Sequence, residues 1–274
     1  MPESMIDSCT RVMGVLNITP DSFYQPSRVQ GSDDIAARAK DMIDHGAHIL
    51  DIGGESSRPG AKPVGLEEEL ERVIPALEVL SRNEYCISVD TYRAETARQS
   101  VEHGALMIND ITALRADPEM AAVVADTGVE CVLMHMLGTP NTMQMDPVYD
   151  DVIDDICAFF EERLEYASKE GISIDMIWLD PGFGFGKTVG HNLTILQHLN
   201  TFTKFGCPLL VGTSNKSTIG AVLDADIDHR TEGTAATVAV SICNGARAVR
   251  VHDVLAMARV ARMTDAALGR IHFD

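Results

Sequence analysis

The chain has 274 residues, 45% of them hydrophobic and 5% aromatic, with 22 Lys+Arg against 41 Asp+Glu and a formal net charge of −19. That length and apolar fraction suit one large α/β domain or two small ones and exclude a disordered chain. So negative a chain argues against general affinity for nucleic acid or an anionic membrane; with no apolar run near the roughly 18 residues of a span and no signal-like start in MPESMIDSCT, a soluble, cytoplasmic protein is expected.

The predicted elements alternate from the start. A strand over Arg11 to Asn17 is followed by a helix over Asp33 to His45, and a strand over His48 to Asp51 by a helix over Leu66 to Ser81. Next come Cys86 to Asp90 with Ala94 to His103, Leu106 to Asn109 with Glu119 to Thr127, and Cys131 to His135 with Val148 to Lys169. The series closes with Met176 to Asp180 and Asn192 to Lys204, Pro208 to Gly212 and Thr231 to Asn244, and Ala248 to His252 and Val254 to Leu268.

Runs that are almost continuously apolar fit strands buried on both faces, as in a parallel sheet. Eight strand-helix units in a chain of this length predict a (β/α)₈ TIM barrel, class α/β, in a single domain over 1–274. A doubly wound sheet would show fewer strands and a Gly-x-Gly-x-x-Gly first turn, where this chain reads NITPDSF. The longest loops, Ile18 to Ser32, Gly53 to Gly65 and Met136 to Pro147, each follow a strand, at the end where a barrel keeps its active site.

The strands end in Asn17, Asp51, Asp90, Asn109, His135, Asp180 and His252, with Lys216 just beyond the seventh. Asp and Asn also serve as turn formers and helix caps, but capping does not require so many at one end of a fold. A barrel would bring them to one mouth, a pocket suited to a flat heterocycle with a donor-rich edge: carboxylates such as Asp90 and Asp180 accept parallel N–H bonds while Asn109 donates and accepts. The cations Arg58, Lys187, Lys216 and Arg250 all follow or end strand runs, which predicts an anion at the mouth of this acidic chain. Arg250 between Val249 and Val251 needs a partner to be tolerated inside a strand.

Two Gly-rich stretches flank these positions. DPGFGFGKT fails as a phosphate-binding P-loop because Pro181 stands where its first glycine belongs. GGESSRPG puts Ser56, Ser57 and Arg58 on a loop able to hold an anion. Lys216 follows a Ser-Asn turn and suits an electrostatic or hydrogen-bonding role better than a Schiff base. The six cysteines form no Cys-x-x-Cys pair and no His-Glu-x-x-His occurs, so reduced thiols and no protein-only zinc site are expected.

These stretches together resemble the dihydropteroate synthase family of the pterin-binding barrel superfamily. The resemblance runs from about Val12 to Val254 through GVLNITPDSF, LDIGGESSRPGA, ISVDTYRAETA, IND, LMHMLGTPNTMQ, DPGFGFGKT, LLVGTSNKSTIG and VRVHDV, in order and spacing. It implies a transferase that condenses 6-hydroxymethyl-7,8-dihydropterin pyrophosphate with para-aminobenzoate in folate synthesis. By the same resemblance Asp90, Asn109, Asp180 and Lys216 hold the pterin, Asn17 helps bind Mg²⁺, and Ser57, Arg250 and His252 contact the pyrophosphate, with Lys216, Arg250 and His252 the catalytic set. Phe23, Ser57, Arg58, Pro59, Phe185 and Ser214 would form the aminobenzoate pocket. C–O cleavage would run ahead of attack by the aniline nitrogen.

The departures from the family lie on the second-substrate side: Tyr24, Gln25, Pro26 and Ser27 replace Ser-Asp-Gly-Gly, Asn215 replaces Arg, and Leu137 stands where Gln is common. A divergent or non-catalytic pterin-binding paralogue is therefore the alternative. A methyltetrahydrofolate-dependent methyltransferase fits less well, since it needs no pyrophosphate clamp, and a Schiff-base aldolase is more distant. The family's common homodimer would use the last helices, which hold Val238, Val240, Ile242 and Met257, residues whose default destination is the core.

Overall fold

Eight parallel strands close on themselves in sequence order, each joined to the next through helical segments, to form a (β/α)₈ barrel. The computed structural model describes residues 9–18, 28–55, 63–140 and 142–271, with backbone only for 28–32. The strands are β1 (Arg11–Asn17), β2 (Ile49–Gly53), β3 (Ile87–Asp90), β4 (Met107–Asp110), β5 (Glu130–Met134), β6 (Ile177–Asp180), β7 (Leu209–Val211) and β8 (Ala246–Val251). β1 pairs with both β2 and β8, which closes the ring and leaves no sheet edge.

The helices are α1 (Arg28–Asp44), α2 (Leu66–Leu80), α3 (Ala94–Glu102), α4 (Met120–Thr127), α5 (Val152–Lys169), α6 (Val189–Gln197), α7 (Ser217–Leu223), α8 (Thr231–Cys243) and α9 (Val254–Ala267). α2 buries Val73, Ala76, Leu77 and Leu80 at helical spacing and carries Glu67, Glu68 and Glu69 in its first turn, where the helix dipole favours anions. α5 begins at Val152, later than the periodicity suggests, because the Asp151 carboxylate caps the backbone N–H groups of Ile153 and Asp154. Asp253 caps α9 through Ala256 in the same way.

Two segments differ from their expected form. The helix predicted over Asn192 to Lys204 is α6 followed by a 3₁₀ turn over Leu199–Phe205, which buries Leu199 and Phe202 three residues apart, the spacing of a three-residue turn. α7 is a short helix that the periodicity does not announce. A side chain at its Gly220 would lie 2.5 Å from the Arg230 guanidinium, so packing rather than pattern decides that segment.

Most of the core lies between barrel and helices, with Phe160 set edge-on to Phe202 and Phe205. A second cluster fills the barrel floor: Met13, Ile49, Met107, Val132, Trp178, Leu210 and Ala248. Of the four residues considered for a dimer face, Val238, Ile242 and Met257 are buried and only Val240 reaches the surface. Among the described residues no helix is long and apolar enough to cross a membrane.

Candidate active site

The floor cluster sets the inward parity of each strand, and side chains two residues on project into the mouth. Counting in twos from Met13, Ile49, Met107, Trp178 and Ala248 leads to Asn17, Asp51, Asn109, Asp180, Arg250 and His252. Most of these, with Asp90, Ser214 and Lys216, line one cavity of about 320 Å³. A neighbouring cavity of about 470 Å³ has a more apolar lining that includes Ile111, Met136 and Pro140. The polar strand ends are concentrated in the smaller one.

Arg250 crosses this mouth. Its Nε donates to Asp51 Oδ2 at 2.6 Å and its Nη2 to Asp90 Oδ2 at 2.9 Å, the partners its place inside a strand required. Burial opposes the charge, but the two carboxylates outweigh it and raise the guanidinium pKa. Asn109 Nδ2 also donates to Asp51 Oδ2, at 3.3 Å, while Asp51 Oδ1 is buried with no partner among the described residues. Asp51, a strand end to which the motifs assign no role, therefore anchors two of the site's side chains. Its inward parity with Ile49 was the available signal.

Both predicted pterin carboxylates are perturbed. Burial raises Asp90 to about 7 against the downward pull of Arg250, with Asp51, Glu69 and Asp110 pushing further up. Burial raises Asp180 to about 6, opposed by the Gly182 N–H, which donates to Asp180 Oδ1 at 2.7 Å, and by Lys216, Lys187 and Arg250. Lys216 is half-buried with Nζ 4.1 Å above the Phe185 ring. The His252 Nδ1 and Ser214 Oγ share a hydrogen bond at 3.0 Å. Asn17 lines the same cavity.

Two residues expected at the mouth go elsewhere. His135 has the opposite parity to inward-facing Val132 and Met134, and its ring packs edge-on to Phe159, outside the barrel. Lys187, expected among the anion-binding cations, is buried against it with Nζ 2.9 Å from His135 Nδ1. Burial brings the Lys187 pKa down to about 7, resisted by Asp180 and assisted by Lys216, and burial with Lys187 and Arg115 takes His135 down to about 2. Phe23, Gln25, Ser57, Arg58 and Pro59 lie outside the described residues.

Of the departures from the family pattern, Asn215 occupies a left-handed turn at φ 58°, a conformation that Asn tolerates better than most residues. Its carbonyl accepts from Arg230 Nη1 at 2.9 Å. The Leu137 carbonyl would lie 2.6 Å from a Cβ on Gly186, so that glycine is required. A network the motifs did not announce joins the β2 and β3 ends: Arg93 pairs with Glu55 and with buried Glu69, both at 2.8 Å.

Gly182 has φ 68°, and a Cβ there would sit 1.9 Å from the His135 carbonyl oxygen. Gly182→Ala adds left-handed strain to that overlap, so a loss of about 3 kcal/mol and a fall in Tm of about 6 °C or more are expected in a thermal melt. An unchanged Tm would show that the β5 end yields freely.

A family model described as Pterin binding enzyme matches residues 13–252. The chain is 46% identical to the dihydropteroate synthase of Synechocystis sp. over 94% of this chain and 90% of that protein. It is similar in structure to Yersinia pestis dihydropteroate synthase with a sulfonamide drug complex, at TM-score 0.90 and 41% identity, covering 96% of this chain and 95% of that one. The Xanthomonas albilineans dihydropteroate synthase with 4-aminobenzoic acid superposes at TM-score 0.88 and 40% identity, covering 96% and 94%.

Proposed function

This chain belongs to the dihydropteroate synthase family of pterin-binding enzymes, and from that premise we propose how its barrel mouth joins 6-hydroxymethyl-7,8-dihydropterin pyrophosphate to para-aminobenzoate, giving 7,8-dihydropteroate and pyrophosphate for folate synthesis. The observation that carries the residue assignments is the convergence of Asp90, Asn109, Asp180, Lys216 and Arg250 on one small cavity.

Asp180 accepts N–H groups from the amidine-like pterin edge, with Asp90 and Asn109 completing the polar frame. The buried carboxylates of Asp90 and Asp180 favour positive charge on the pterin as the C–O bond to pyrophosphate breaks. Arg250, oriented by Asp51 and Asp90, and His252, linked to Ser214, face the leaving pyrophosphate. The aniline nitrogen then forms the new C–N bond and releases its proton, so no protein nucleophile is required. Phe185 and Ser214 form the described side of the aminobenzoate pocket; Phe23, Ser57, Arg58 and Pro59, which the resemblance assigns to the same pocket, lie outside the described residues.

Asn17 supports the assignment of Mg²⁺. Its amide oxygen is a hard donor beside Gly53, where a Cβ would keep 3.7 Å from it. A single amide oxygen from the protein would leave the other positions of such an ion to phosphate oxygens and water. When bound, Mg²⁺ supplies charge neutralisation on the pyrophosphate.

The proposal extends to a cytoplasmic homodimer. The six cysteines are free thiols, and Val189, Leu193, Val222, Leu223 and Val240 are exposed on α6, α7 and α8. The test of function is product formation from pterin pyrophosphate, labelled para-aminobenzoate and Mg²⁺ at low and high salt. Labelled dihydropteroate with matching pyrophosphate is the expected result. Tight pterin binding without labelled product would make the chain a divergent binder instead, with Gln25 and Asn215 the first positions to revert.

A further inference from the structure

The loop between β6 and α6 carries glycine at 182, 184 and 186, all left-handed, at φ 68°, 84° and 64°. A segment so rich in glycine has little conformational preference of its own, so ties from outside must set its shape. Gly184 donates to Asn192 Oδ1 and accepts from Gln144 Nε2, each at 2.8 Å, and the Tyr149 hydroxyl donates to the Gly186 carbonyl at 2.7 Å.

A further buried tie is Lys187, only 3% exposed. Its Nζ donates to the Phe185 carbonyl at 3.0 Å, to His135 Nδ1 at 2.9 Å and to the His135 carbonyl at 3.4 Å. Three acceptors meet the three N–H groups of an ammonium, and loss of one proton still leaves donors for the two shorter bonds. The imidazole accepts at Nδ1 and is itself held edge-on by Phe159, ring centroids 4.9 Å apart. A rigid post at the end of β5 is thereby fastened to the backbone of Phe185, whose ring faces the Lys216 ammonium.

We propose that Lys187 is a positioning residue of the second-substrate side: a buried brace from His135 to the Phe185 carbonyl that fixes the Phe185 ring against Lys216 and so sets the affinity for aminobenzoate. It touches no substrate and acts through Phe185. The inference rests on Phe185 contacting aminobenzoate, and it gives this lysine a role other than anion binding.

The test is steady-state turnover with both substrates varied, together with calorimetric titration of pterin pyrophosphate, on the full chain. Lys187→Met keeps the length of the stem and removes every donor. The KM for aminobenzoate is expected to rise about tenfold, the effect of a lost buried hydrogen bond, with a smaller loss of pterin pyrophosphate affinity because the Lys187 charge also acts on Asp180. In a Phe185→Leu background the same substitution is expected to add less than about twofold, because residues acting as one unit are not additive.

An unchanged aminobenzoate KM, an equal loss of pterin affinity, or full additivity with Phe185→Leu would each overturn the brace. Should Lys187→Met fail to fold, His135→Leu removes the post while leaving the amine two carbonyl partners; a rise in aminobenzoate KM supports the brace and an unchanged value overturns it. A parent chain that forms no dihydropteroate overturns the functional reading and the brace together. A parent that turns over normally beside an unaffected variant overturns the brace alone.

Discussion

Asp180→Asn is expected to abolish most pterin binding while making the protein more resistant to heat. The carboxylate can accept two parallel N–H bonds from the ligand edge while still holding Gly182; an amide offers one oxygen and presents a donor where a donor arrives. Loss of charge-assisted hydrogen bonding in a buried site is worth about 3 kcal/mol, roughly a hundredfold in Kd.

The stability effect has the opposite sign. Asp180 titrates at about 6 in the folded chain, above its ordinary 3.8, because burial disfavours the ionised form. Folding therefore favours the protonated group. The cost of ionising it in the folded chain is absent below about pH 4, develops between pH 4 and 6 and is complete above, approaching roughly 3 kcal/mol. The neutral amide removes that cost, so Tm is expected to rise by several degrees at pH 7.5 and to match the parent at pH 4. Calorimetric titration with pterin pyrophosphate and melts at the two pH values check both halves. Parent-like binding would remove Asp180 from the site, and a lower Tm at pH 7.5 would show that its charge supports the fold.

Arg250→Met is expected to damage stability and activity together. The guanidinium is the shared partner of Asp51 and Asp90, and its removal leaves two carboxylates facing each other in a largely buried mouth. Breaking such a pair costs about 3 to 5 kcal/mol, a Tm fall of roughly 8 to 15 °C. Loss of the group proposed to face the leaving pyrophosphate is expected to lower kcat/KM by roughly a thousandfold. Asp90 already stands at about 7 with the cation present and moves higher without it. A carboxylate with a raised folded pKa contributes most stability at low pH and loses it as pH rises, so the defect is expected to be smaller at pH 6 than at pH 8. Arg250→Lys is not expected to restore activity, since a single ammonium cannot reach both carboxylates with the fork geometry. Melts at the two pH values and initial rates decide it: an undiminished Tm at pH 8 would mean the carboxylates relax apart.

The two variants move stability in opposite directions from the same mouth, which follows from how each charge is accommodated. Asp180 keeps a raised pKa despite a backbone N–H and the charges of Lys216, Lys187 and Arg250, whereas Arg250 is matched by two close carboxylates. A pocket that must hold a polar heterocycle keeps some charge undercompensated until the ligand arrives, at a cost in stability when empty.

Much of this protein is determined locally and can be read along the chain. Alternation of buried apolar runs with amphipathic helices specifies the barrel, because a strand covered on both faces has no polar side and a helix over it has one. Once the floor cluster is known, strand parity places Asp51, Asn109, Asp180 and Arg250 in the mouth and turns His135 outward, against its expected place in the ring. Partnerships across the ring were decided only by tertiary structure. Arg250 meets Asp51 and Asp90 across 199 and 160 residues of chain, and Lys187 leaves the mouth for His135 because three left-handed glycines reverse the backbone before it. Local pattern determines which face a side chain takes; which charges meet there depends on closure of the barrel and on loops whose glycines have no preference until packing imposes one.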